Sequence, residues 1–244
     1  MLRRMRGPVA LVGAGEFLDT MVEFDRSLLA ATGRQRPRVV ILPTASANDG
    51  EAVFLGWAER GVAHFSALGA EVEPVLVRTA ADARDAAVLQ AVGEADLVYV
   101  SGGDPRHLLR VLQGSPLGAA LVGANDRGAV MAGCSAGAMA LVGRSMNFWT
   151  LPKVPFPMPF PMRWQQALGM VPGVVVLPHY NSVPEAFSAC IALQAPRGSV
   201  SFGIDEHTDV VGRDGAWQVY GAGRVTVWHG RRRERFHRGE AFRA

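Results

Sequence analysis

The chain reads as an α/β fold, with a mostly parallel central sheet flanked by helices and antiparallel strands at its C-terminus. Three features predict it. Over the first two-thirds, short apolar runs alternate with stretches of helical periodicity, the pattern of parallel strands joined by covering helices. Several of those runs end in glycine-rich turns, which places the turns on the C-terminal edge of the sheet, where ligands of open α/β folds bind. Toward the end, strand-like runs are separated by Arg213-Asp214-Gly215 and Gly221-Ala222-Gly223, which are hairpin signals.

Composition sets the outer bounds. A chain of 244 residues that is 49% hydrophobic can bury one sizeable core, and residues 1–244 read as one domain without internal repeat. The net charge of +3 comes from the ends, where Arg3, Arg4 and Arg6 open the chain and Arg231, Arg232, Arg233, Arg235, Arg238 and Arg243 close it. The body between them is mildly acidic. A basic end of this kind reads as a solvated final strand and tail, and no aromatic-rich or metal-ligand repeat accompanies it, so neither a nucleic-acid partner nor a metal is expected. Two cysteines, Cys134 and Cys190, make no disulfide framework. The apolar run after the N-terminal arginines is short, broken by glycine and followed by Glu16 and Asp19, so it reads as a first strand rather than a signal peptide. Without a long apolar segment, no membrane partner and a cytoplasmic location are the expectation.

In chain order, strands are expected at Val9 to Val12, Val39 to Leu42, Val72 to Val77, Leu97 to Val100 and Ala129 to Ala132. Helices are expected at Phe17 to Ala31, Glu51 to Leu68, Ala80 to Val92 and Arg106 to Leu112, the last with Pro105 in its first turn. Gly13–Glu16, Gly102–Asp104 and Gly133–Gly137 follow three of these strands and should be neighbours in space. Gly13-Ala14-Gly15 is not a dinucleotide fingerprint, because the third glycine would fall at Leu18. Further strands are expected at Val174 to Leu177 and Val200 to Ile204, with a short helix opened by Ser182–Pro184 between them. Runs at Asp209–Val211, Trp217–Tyr220 and Val225–Trp228 complete the antiparallel part.

One segment breaks the pattern. Phe148 to Trp164 carries five prolines with aromatic residues and methionines, too much proline for helix or central strand. It reads as an irregular apolar arm that lines a pocket, docks on a second subunit as in a homodimer, or packs on the core. Long irregular loops are commonly functional.

The chemistry concentrates at Val130 to Met139. Gly133-Cys134-Ser135-Ala136-Gly137 is Gly-x-Ser-x-Gly, a strand that turns straight into a helix with a hydroxyl at its apex. Such a turn needs small flanking residues so that strand end and helix start do not collide. The pentapeptide fits equally a nucleophile and a plain small-residue junction. A serine nucleophile requires a base within hydrogen-bond reach and donors for an oxyanion. His179 is the candidate base, since it stands just past a buried strand, where it would emerge on the same edge as Ser135. The candidate donors are the N–H of Ala136 and an N–H of the Gly102-Gly103 turn. Cys134 is off the tip and reads as a small buried residue.

With Ser101-Gly102-Gly103-Asp104 upstream and Leu177-Pro178-His179-Tyr180 downstream, the Ser135 turn resembles the dipeptidase E / cyanophycinase family of serine peptidases. Leu11 to Glu16, Leu42 to Ser46, Phe202 to Thr208 and Val219–Gly223 add to the resemblance in the same order along the chain. It implies the class I glutamine amidotransferase-like fold, a flavodoxin-like three-layer arrangement. It also implies Ser135 as nucleophile, His179 as general base, Gly103 and Ala136 as oxyanion hole, a peptide or amide substrate, and no cofactor. Gly102, Asp104 and Arg163 are the expected substrate contacts.

Two departures stand out. The resemblance implies an acidic triad member between serine and histidine, yet Gly137 to Pro178 holds no Asp or Glu. Asn181 is the first candidate to orient His179, followed by Glu185 and then Glu16. Loss of the orienting acid costs about 10⁴ in rate in serine triads, so the competing expectation is a weakened or silent member acting as a binding or structural protein. The resemblance also implies arginines after the histidine motif where the substrate is acidic, but Tyr180 to Pro196 has no Arg or Lys. That points to a more apolar site.

Overall fold

The structure, a computed structural model, describes residues 6–147 and 161–244. Its first half builds a parallel sheet from β1 (Val9–Val12), β2 (Arg38–Leu42), β3 (Glu71–Pro74), β4 (Leu97–Val100) and β5 (Val130–Cys134). Between them run α1 (Val22–Ala31), α2 (Glu51–Ala67), α3 (Ala86–Glu94), α4 (Pro105–Leu112) and α5 (Pro116–Asp126). β1, β4 and β5 are buried along their whole length, because helices cover both faces of the sheet, and they therefore read as unbroken apolar runs.

The chain continues through α6 (Ala136–Leu141), a small ladder of β6 (Arg144–Met146) with β7 (Trp164–Gln166), then β8 (Val174–Leu177), α7 (Glu185–Leu193) and β9 (Val200–Ile204). It ends in β10 (Thr208–Arg213), β11 (Ala216–Gly221), β12 (Arg224–His229), β13 (Arg232–His237) and β14 (Ala241–Arg243). The main sheet has eight strands in the order β14-β11-β10-β1-β5-β4-β2-β3. A second sheet has four, in the order β13-β12-β9-β8. The fold is thus α/β, with a mostly parallel central sheet and antiparallel strands toward the C-terminus. β10 joins β1 antiparallel, with Val12 opposite Asp209, while Val12 also stands level with Cys134 of β5.

Several boundaries moved for local reasons. α1 starts after a 3₁₀ turn at Asp19–Met21 rather than at Phe17, whose φ of 63° lies outside the helical region. α3 begins only at Ala86, where Asp85 caps it by accepting the Ala87 N–H. α5 was not anticipated, although Ser115-Pro116 marks its start as cap and first-turn proline. The arginine-rich end forms β13, the edge of the second sheet, where exposed charges discourage pairing with other chains.

Of the apolar arm, residues 148–160, and with them the expected dimer contact, lie outside the described residues. The described end packs on this chain's own core. The Met162 N–H donates to Gln194 Oε1 at 3.0 Å, and Trp164 Nε1 donates to the Gln194 carbonyl at 2.8 Å. Among the described residues no helix is long and apolar enough to cross a membrane.

Candidate active site

β5 delivers Ser135 at the main sheet's C-terminal edge in a sterically unfavourable backbone conformation, φ 50° and ψ −108°. Such a conformation costs about 1–3 kcal/mol and persists only where the surroundings enforce it. Here they do. The Ser135 N–H donates to the Val12 carbonyl at 3.0 Å, and the Met139 N–H returns to the Ser135 carbonyl at 3.0 Å. The flanking glycines are steric requirements. A Cβ on Gly133 would stand 2.5 Å from the Gly137 carbonyl carbon, and one on Gly137 would stand 2.1 Å from the Val100 oxygen.

His179 comes from the other sheet, two residues past β8, and it too is left-handed, at φ 52° and ψ 37°. Tyr180 fixes that turn. Its ring fills the space above Gly203, where a Cβ would stand 2.1 Å away, and its hydroxyl accepts the Trp228 indole N–H at 3.0 Å. The two strained residues meet, with Ser135 Oγ 3.0 Å from His179 Nε2.

The outer nitrogen of His179 is engaged by an acid that the sequence reading did not single out. His179 Nδ1 lies 2.8 Å from Glu206 Oε1. An ionised carboxylate only accepts, so the pairing puts the proton on Nδ1 and leaves Nε2 to accept from Ser135. Hydrogen bonds from His179 and then Ser182 hold the Glu206 carboxyl below its ordinary range. Asn181 is therefore not the orienter. Its Oδ1 accepts the Glu206 N–H at 2.8 Å and so positions the acid one step further out. Glu185 pairs with Arg235 at 2.7 Å and with Arg233. Glu16 is buried beneath the serine turn, accepting the Gly102 N–H at 2.9 Å and the Cys134 thiol at 2.7 Å.

Chain order explains the omission. The resemblance implies an acid between serine and histidine, whereas Glu206 follows both and stands further along the chain than Asn181 and Glu185. The signal was topological: β8 and β9 are parallel neighbours, with Leu177 opposite Gly203, so the residues just past their ends, His179 and Glu206, emerge side by side.

The three glycine-rich turns are neighbours, as expected. A Cβ on Gly102 would lie 3.0 Å from Glu16 Oε1 and 3.4 Å from Ser135 Cβ. Gly103 has φ 141° and approaches Ala45 so closely that a Cβ would stand 2.5 Å from its carbonyl. The Gly102 N–H is given to Glu16, while Gly102 itself lines a cavity with Ser135 and His179. Gly103 N–H has no protein acceptor among the described residues. Asp104 caps α4 through the Arg106 N–H and takes the Arg106 guanidinium in a fork of 3.0 and 3.1 Å. Burial works against the Asp104 carboxylate, and Arg106 more than offsets it, so the acid sits below its ordinary range. Arg163 is exposed beside β7, its carbonyl accepting the Asn147 N–H, and it does not line the space in front of Ser135. Cys134 is fully buried, and burial followed by the Glu16 charge pushes its thiol well up, which keeps it protonated and inert.

Two cavities open on the serine and histidine. The larger, about 690 Å³, runs between α6 and α7 and includes Gly103, Asp104 and Ala136 in its wall. The smaller, about 420 Å³, is bounded by Gly102, Phe17 and Trp57. Among the described residues no group of three or more His, Cys, Asp or Glu is placed to hold a metal.

A serine on a strained strand-to-helix turn, a histidine against it and an acid behind the histidine, on this fold, define the serine-hydrolase class. Sequence comparison narrows the class: residues 9–219 match the model of peptidase family S51, so the chain belongs to that family of serine peptidases. The cyanophycinases of Trichormus variabilis and of a Nostoc species are each 28% identical to it over 223 residues, which is 90% of this chain and 72% of theirs. The crystal structure of a peptidase from an acI-B1 Actinobacterium superposes with a TM-score of 0.86 at 30% identity, covering 99% of this chain and 98% of that one. A putative peptidase E protein from Listeria monocytogenes shares the fold, with a TM-score of 0.64 at 19% identity over 89% of this chain and 100% of that one.

Proposed function

We propose that this peptidase cleaves a peptide or amide bond through Ser135, His179 and Glu206, as a single domain without a cofactor. Ser135 Oγ attacks the substrate carbonyl while its proton passes to His179 Nε2. The N–H groups of Gly103 and Ala136 receive the oxyanion, in a place where fixed donors are worth more than water. The imidazolium then gives its proton to the leaving amine, and water repeats the sequence to release the acid. Glu206 holds the Nδ1 proton throughout and faces the transient positive charge.

The observation that carries this reading is the 3.0 Å approach of Ser135 Oγ to His179 Nε2, with a carboxylate 2.8 Å behind it. The silent-protein reading rested on a missing acid, and with Glu206 against Nδ1 that motive is gone. The test is covalent labelling of the folded protein with a fluorophosphonate. The expected result is one adduct, on Ser135, absent in Ser135→Ala and strongly slowed in His179→Ala. A folded wild type that takes up no label refutes the proposal.

A further inference from the structure

We infer that the larger cavity selects a bulky apolar side chain next to the scissile bond, and that an acidic side chain is rejected there. This rests on the serine-peptidase mechanism proposed above and names the class of substrate for it. The inner wall is supplied by Met139 of α6, Met146 of β6, Leu177 of β8, and Phe187 and Ile191 of α7. Four of these are buried to within 5% exposure, and Phe187 is half-buried. The residues belong to an apolar cluster of their own, which Tyr180 and Trp228 complete behind the cavity's lining residues. A volume of about 690 Å³ sits within the range of small-molecule sites, about 300–1,000 Å³.

Charge argues the same way. Arg106 is the only Lys or Arg among the described lining residues, and its guanidinium forks onto Asp104. The pair cancels, and Asp49 at the exposed rim adds a negative charge. An entering carboxylate would lose hydration and meet no uncompensated cation. A lysine or arginine side chain would find Asp49 only in water, where a lone ion pair contributes little, while its charged end faced methionine, leucine and isoleucine. An aliphatic or aromatic side chain leaves no buried polar group unpaired, and removal of its apolar surface from water favours binding.

The experiment is a library of tri- and tetrapeptides with free and with acetylated N-termini, with cleavage sites read by mass spectrometry. The fluorophosphonate-reactive fraction counts the active sites. Leu, Met or Phe should stand directly beside the cleaved bond, always on the same side, with kcat/KM about 10- to 100-fold above the Ala counterpart. Phe187→Ala should cut the Leu-to-Ala ratio about tenfold, and Phe187→Arg should move the optimum toward Asp or Glu. Preference of a labelled wild type for Asp, Glu, Lys or Arg at that position overturns the inference and leaves the serine-peptidase reading standing. So does a labelled enzyme that cuts none of the library. If the folded protein neither labels nor cleaves, both fall.

Discussion

Replacing Glu206 by Gln removes one charge while keeping nearly all of the side-chain volume. The carboxylate meets His179 Nδ1 at 2.8 Å, and the two side chains are 34% and 43% exposed. A charge-assisted hydrogen bond of this kind contributes about 1.5–3 kcal/mol, and half-exposure puts it toward the lower end, which sets a floor of roughly 10-fold on the loss. The tautomer sets the ceiling. A Gln amide can turn its NH₂ toward Nδ1, moving the imidazole proton to Nε2, where it blocks acceptance from Ser135. That fault costs about 10⁴ in serine triads. Glu206→Gln should therefore lower kcat/KM by about 10³, with KM nearly unchanged, while thermal unfolding reports an intact fold. Asn181→Ala removes only the bond that steadies the Glu206 backbone and should cost about 5- to 10-fold, as expected for about 1 kcal/mol. A larger loss in Asn181→Ala than in Glu206→Gln, or a Glu206→Gln rate within threefold of wild type, would refute the assignment. The pH dependence follows from the same bond. The folded Glu206 carboxyl is held down, so its contribution to stability is complete above the unfolded value, about 4.3, and is lost as pH falls through the lower folded value. The stability gap between wild type and Glu206→Gln should be flat from pH 6 to 8 and close below about pH 4.

Three other outcomes are expected. Ser135→Gly should unfold about 1 kcal/mol later than Ser135→Ala in denaturant titrations, because only glycine relieves the positive φ; equal stability would deny the strain. Gly137→Ala places a methyl 2.1 Å from the Val100 carbonyl oxygen and should cost more than about 3 kcal/mol or prevent folding, with a wild-type-like melt as the contrary result. Asp209→Asn should stabilise the protein by about 1–3 kcal/mol at pH 8, because both carboxylate oxygens are buried without a partner among the described residues. Burial, and then Asp25, push the Asp209 carboxyl well up, so the folded state retains a proton that the unfolded chain releases above about pH 3.9. Wild-type stability therefore falls as pH rises through that window, and the gain in Asp209→Asn should shrink toward pH 4 in melts at pH 4, 6 and 8.

The parallel strands were legible because burial on both faces leaves an apolar run with sharp ends: Val9–Val12, Leu97–Val100 and Val174–Leu177 were read to the residue. α5 was missed because Pro116-Leu117-Gly118-Ala119-Ala120 has weak amphipathic contrast, although its Ser-Pro start was visible. Ser135 and His179 could be named since each closes a buried strand beside small or turn-forming residues. Their pairing is implied by the family resemblance rather than by any local pattern, because β5 and β8 lie in different sheets and no local pattern states how two sheets pack. Glu206 was hidden for a related reason. Its role comes from β8 and β9 being parallel neighbours, a fact about pairing rather than about spacing along the chain. The absence of Lys and Arg from Tyr180 to Pro196 did show, before any geometry, that the helix after His179 carries no cation.

The covalent role of Ser135 is open to direct measurement. An activated ester of a short acylated peptide with a bulky apolar residue, mixed rapidly with enzyme and quenched in acid within milliseconds, should show a burst of alcohol release. The quenched protein should carry one acyl group on the peptide that contains Ser135, with the burst lost in Ser135→Ala and slowed about 10³-fold in Glu206→Gln. Linear release without a burst, from an enzyme whose acid-quenched chain bears no acyl group while the ester is turned over faster than the acyl group could be lost, would contradict nucleophilic attack by Ser135.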